Sequence, residues 1–155
     1  MLAAGEWHPP TEGVSVARDE KIDLLRTVPL FAGLDDHEIE RVSTLADIID
    51  LPADRLLMTQ GQHGWEMFIL VSGSARIERD GQSLGERGPG EVLGEIALLD
   101  GGPRTATVTL SEPSRLLVVA RREFQALMDE FPDIRLRVLE AVAHRLRSLD
   151  PDGLH

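Results

Sequence analysis

The sequence predicts an α+β domain: an eight-stranded β-roll, jelly-roll-like in the manner of a double-stranded β-helix, with N-terminal helices and two C-terminal helices. Three observations predict it. Apolar residues recur at helical spacing up to about residue 48. From there to Ala120, short apolar runs alternate with Gly- and Pro-rich turn signals, at the spacing of about 8–12 residues that marks a sandwich or a roll. Beyond Ala120 the helical period returns, so the order is helices, strands, helices.

The elements follow in order. "DEKIDLLRTV" carries Ile22, Leu25 and Val28 at helical spacing, and Pro29 ends it. "LFAGL" is a short apolar connector. "DDHEIERVSTLADII" predicts a second helix reaching Ile49, with Ile39, Val42 and Leu45 on one face. Asp35 followed by Glu38 is a capping-box start for it. The strand candidates are "RLLMTQ", "EMFILV", "ARIE", "EVLG", "TATVTL" and "RLLVVA", six named members of a roll of about eight. "LPAD", "GQHG", "VSGS", "RDGQ" and "RGPG" supply the turns between strands. "RREFQALMDEF" and "PDIRLRVLEAVAHRLRSL" are the closing helices, with Pro132 near the start of the last. Ile134, Val138, Val142 and Leu146 form a stripe on that helix, read first as packing against the roll and second as a homodimer seam. Residues 1–18, with Pro9, Pro10 and no periodicity, are expected to be a mobile tail. Residues 19–150 form the domain, and 151–155 a short tail after Pro151.

Composition narrows the function classes. A chain of 155 residues fits one domain with a core of its own. The formal net charge of −11 argues against a broad nucleic-acid or anionic-membrane surface. No apolar run approaches the length of a membrane span, and the first twenty residues lack the basic head and apolar stretch of a secretory signal. Cysteine is absent. That fits a reducing compartment, and a cytoplasmic location is the expectation. His8, His37, His63, His144 and His155 form no metal-binding spacing, so no metal is expected. There is no Gly-x-Ser-x-Gly element and no cysteine nucleophile, and the expectation is a protein that is not an enzyme. A metal-dependent enzyme on a similar roll would need a His and carboxylate triad, and the roll holds only His63, in a turn.

"GEIALLDGGPRTATV", residues 94–108, carries the chemistry. "GEIALL" predicts a short helix whose first N–H groups, with the helix dipole, favour an anion. Gly94 permits close backbone approach. After the turn, Arg104, Ala106, Val108 and Leu110 share one side of the chain and Thr105, Thr107 and Thr109 the other. Arg104 is therefore in phase with the apolar face, where its fork suits a phosphate. Glu95 accepts hydrogen bonds and suits a sugar hydroxyl. Together they describe a pocket for a small molecule with one phosphate and one ribose. The competing reading is that Glu95 and Arg104 simply pair with each other.

This segment resembles, without gaps, the phosphate-binding cassette of cyclic-nucleotide-binding domains, as found in the catabolite activator protein, in cyclic-nucleotide-dependent kinases and in ion channels. "VPLFAGL", "GQHGWEMFILVSG" and the two closing helices agree, so the likeness covers roughly residues 22–149. The resemblance implies a cyclic-nucleotide sensor with cAMP favoured and cGMP second. It implies that Glu95 takes the ribose 2′-hydroxyl and Arg104 the cyclic phosphate. Backbone amides of Gly94, Ile96 and Ala97 would complete the cradle, with Ala106 approaching from the strand. Thr105 would offer its hydroxyl to the phosphate or to a syn guanine. Ile77 and Leu84 would floor the base and sugar, and Arg145 is the candidate base cap. Output is expected to pass to an unidentified effector protein through movement of the flanking helices. The sequence departs from DNA-binding members, with Leu149 and Asp150 at their polar base-contacting positions and no room afterwards for a DNA-reading helix, so no direct nucleic-acid binding is expected. A ligand-free scaffold that keeps the fold as a protein-interaction module is the remaining alternative.

Overall fold

The computed structural model describes residues 18–94 and 101–149. Two four-stranded antiparallel sheets face each other. Strands β1 (Asp47–Leu51), β8 (Ser114–Ala120), β3 (Glu66–Ser72) and β6 (Val92–Leu93) make the first, in the order β1-β8-β3-β6. Strands β2 (Leu56–Met58), β7 (Thr107–Leu110), β4 (Ala75–Arg79) and β5 (Gln82–Arg87) make the second, in the order β2-β7-β4-β5. Helix α1 (Arg18–Arg26), a 3₁₀ turn (Pro29–Phe31) and α2 (Asp36–Leu45) precede the strands. Helices α3 (Arg121–Glu130) and α4 (Pro132–Leu149) follow them. This is the α+β roll with flanking helices that the sequence predicts.

Two buried layers hold it together, and β3 and β8 belong to both. Met67, Ile69, Leu117 and Val119 pack towards the helices, against Leu25, Phe31, Ile39, Val42, Phe124, Leu127 and Ile134. Phe68, Leu70, Leu116 and Val118 point the other way, into the space between the sheets, against Leu57, Met58, Ile77, Ala106, Val108 and Leu110. Strands buried on both faces read as continuous apolar runs, which is why "MFILV" and "LLVVA" show no alternation.

Two boundaries differ from the sequence expectation. The second helix ends at Leu45 rather than reaching Ile49, and Asp47–Leu51 is β1. β-Branched Ile48 and Ile49 favour an extended chain, and pairing Ile48 with Leu117 of β8 buries Ile48. Residues 82–87, not named among the strand candidates, form β5 at the edge of the second sheet. An edge strand with mostly exposed side chains carries little hydrophobic signal. The capping box is present as expected: Asp35 Oδ1 accepts from the Glu38 N–H at 2.8 Å, and Glu38 Oε1 accepts from the Asp35 N–H at 3.0 Å.

Candidate functional site

Arg104 organises the site. It lies just ahead of β7, and the alternation sets its direction: Arg104, Ala106, Val108 and Leu110 are buried, while Thr105 is exposed and Thr107 and Thr109 are half-buried. The residue is only 3% exposed, an unusual place for a guanidinium. Its Nη2 donates to the Glu66 carbonyl at 2.7 Å and lies 3.5 Å from Glu66 Oε1. Its Nη1 donates to the Gly94 carbonyl at 3.3 Å. The backbone is fixed as firmly, since Arg104 N–H donates to the Gln62 carbonyl at 2.8 Å and Gly61 N–H donates to the Arg104 carbonyl at 2.9 Å.

Two glycines make room for it. Gly94 has φ +86°, a left-handed conformation that costs glycine nothing, and a Cβ there would stand 2.5 Å from Arg104 Nη1. A Cβ on Gly64 would overlap Nε, Nη2 and Cζ of the same guanidinium. The loop after the site is pinned from outside: Arg79 Nε donates to the Thr105 carbonyl at 2.9 Å, and the Gln60 N–H donates to Thr107 Oγ1 at 3.0 Å.

The other sequence-predicted residues fall into three groups. Ile77 and Ala106 are buried in the layer between the sheets, and Leu84 packs against that layer from β5. Arg104 thus reaches the Gly94 carbonyl that follows β6, while Ala106 and Ile77 lie in the buried layer between the sheets. Thr105 is exposed, out of phase with Arg104. Glu95, Ile96 and Ala97 lie outside the described residues, and Arg145 is placed only as a position on α4. Among the described residues, no group of three His, Asp or Glu side chains is arranged to hold a metal ion.

Sequence reasoning missed Glu66 and Gly64. The signal was present in "HGWEMFILV", where a carboxylate stands immediately before the apolar run Met67–Val71. On α4, Ile134 and Val138 are buried against the helical layer and Val142 is partly buried there, whereas Leu136 and Leu139 are exposed.

A buried arginine thus stands in an eight-stranded roll, beside a left-handed glycine that opens the predicted cassette. Comparison with known proteins gives the family. Residues 48–131 match the cyclic nucleotide-binding domain family, and the chain belongs to it. It is 32% identical over 127 residues to the cyclic AMP receptor protein of Thermus thermophilus, covering 79% of this chain and 59% of that one. It is 29% identical over 126 residues to the Pycsar effector protein XpPycTIR of Xanthomonas perforans, covering 76% of this chain and 42% of that one. The chain therefore spans between 42% and 59% of the length of these two relatives. The crystal structure of the Thermus thermophilus catabolite activator protein superposes with a TM-score of 0.72 at 32% identity, covering 80% of this chain and 61% of that one.

Proposed function

We propose that this chain is a cyclic-nucleotide sensor module with cAMP as its favoured ligand and cGMP as the alternative. The observation that carries the reading is the buried guanidinium of Arg104, set against the carbonyls of Gly94 and Glu66 and beside the Glu66 carboxylate, at the start of a strand that follows a segment resembling a phosphate cassette. In this reading Arg104 takes the cyclic phosphate with the backbone amides of Gly94, Ile96 and Ala97. Glu95 takes the ribose 2′-hydroxyl. Ala106 leaves space for the phosphate, and Ile77 and Leu84 meet the sugar and base. A relative named as a cyclic AMP receptor supports cAMP over cGMP.

Binding is transmitted only so far as the ligand distinguishes two arrangements of the flanking helices. The α4 face carrying Leu136 and Leu139, 57% and 50% exposed, is the surface on which an effector protein or a second copy would read that change. One observation favours a second reading, a ligand-free scaffold: Glu66 already stands beside Arg104. Calorimetric titration with cAMP and cGMP decides between the two. Saturable binding of at least one nucleotide is expected, and the absence of heat with both would leave the scaffold.

A further inference from the structure

Glu66 is a side chain the nucleotide reading does not use, and it meets Arg104 through both its carboxylate and its carbonyl. It opens β3, paired with Ala120 at the end of β8. Its carboxylate is 15% exposed and stands 3.5 Å from Arg104 Nη2. Its own carbonyl accepts from that same nitrogen at 2.7 Å. The carboxylate Oε1 also accepts, at 3.4 Å, from the Trp65 N–H, which tethers it to the strand end. One residue therefore presents both a neutral hydrogen-bond acceptor and a nearby negative charge to a single guanidinium nitrogen.

We propose that Glu66 is a resident counterion of Arg104 and tunes the affinity of the site by sharing that cation with an incoming phosphate. The inference rests on the functional reading above and adds the residue that tunes it. A buried guanidinium is costly without a negative partner. Glu66 supplies a negative partner in the unliganded protein. A cyclic phosphate bound by Arg104 then lies a few ångströms from a second anion, and their repulsion in a shielded site opposes binding. The carboxylate therefore stabilises the unliganded domain and weakens its ligand affinity at once.

This double effect separates a counterion from a merely structural residue. A structural residue, when replaced, lowers the melting temperature and the affinity together. A counterion moves them in opposite directions. The test is titration with cAMP and cGMP, together with thermal melting with and without nucleotide, on wild type and Glu66→Gln. Glutamine keeps the size and the strand pairing and removes the charge. We expect it to bind about three- to tenfold more tightly, to melt about 2–4 °C lower without ligand, and to gain more than wild type from saturating nucleotide. Equal or weaker binding, or an unchanged unliganded melt, overturns the proposal. If Glu66→Gln does not fold, Glu66→Asp draws the charge back by one methylene. It should shift both quantities the same way by less, and weaker binding by it overturns the proposal equally. Failure of the wild type to bind either nucleotide overturns the functional reading and this inference with it. Binding by the wild type without the gain in the variant overturns this inference alone.

Discussion

Gly64→Ala tests the site through a residue assigned no ligand contact. The glycine lies against the side of the Arg104 guanidinium, and a Cβ added there would come closer than 3.0 Å to Nε, Nη2 and Cζ. Ordinary carbon contacts need about 3.5 Å, so the guanidinium must retreat by about 1 Å. It has nowhere near to go: the Glu66 and Gly94 carbonyls enclose it and the residue is 3% exposed. A fork displaced on that scale keeps its charge near the phosphate and forfeits at least one aligned hydrogen bond to it. A hydrogen bond to a charged group contributes about 1.5–3 kcal/mol, so nucleotide binding should weaken by about 10- to 100-fold. No left-handed backbone is required at Gly64, so the fold should survive the change. The assay is calorimetric titration beside a circular-dichroism melt. A folded Gly64→Ala protein that binds within twofold of wild type would refute the placement of Arg104 as the phosphate ligand.

Arg104→Ala should cost at least about 2 kcal/mol of binding free energy in the same titration, and binding equal to wild type would put the site elsewhere. Glu95→Ala should weaken ribonucleotides more than their 2′-deoxy analogues, and equal weakening of both would contradict its role. Phe124→Ala, which empties a fully buried position between α3 and the first sheet, should lose about 3–5 kcal/mol in urea unfolding. Arg115 donates to both carboxylate oxygens of Asp50, at 2.7 and 2.9 Å, and these hydrogen bonds hold the Asp50 carboxyl below its ordinary range. A lowered pKa contributes stability that is present above the unfolded value and lost as pH falls through the folded one. The stability advantage of wild type over Asp50→Asn, followed by urea unfolding across pH, should therefore hold at neutral pH and decline as the pH falls below the ordinary aspartate value of about 3.9; a difference that shows no decline in acid would contradict the pairing.

Much of the architecture was legible in the chain because local chemistry and burial pull the same way. Asp35 and Glu38 form a capping box whatever packs on the helix they open. The alternation from Arg104 to Leu110 states which side chains turn inward, since a strand has only two faces. β1 was not legible, because "STLADII" suits a helix until Ile48 finds Leu117 across the sheet. β5 was not legible either, because an exposed edge strand owes its existence to a partner and not to its own hydrophobicity.

By itself the sequence determined the succession of helices, strands and helices, the interior direction of Arg104 and the likeness of residues 94–108 to a phosphate cassette, because each depends on spacing within a short stretch. Only the tertiary structure decided who keeps that arginine company. Glu66 lies 38 residues away along the chain, and Gly64 leaves the space the guanidinium occupies. Contacts of that kind depend on how β3 is set against the loop before β7, and no local periodicity records it.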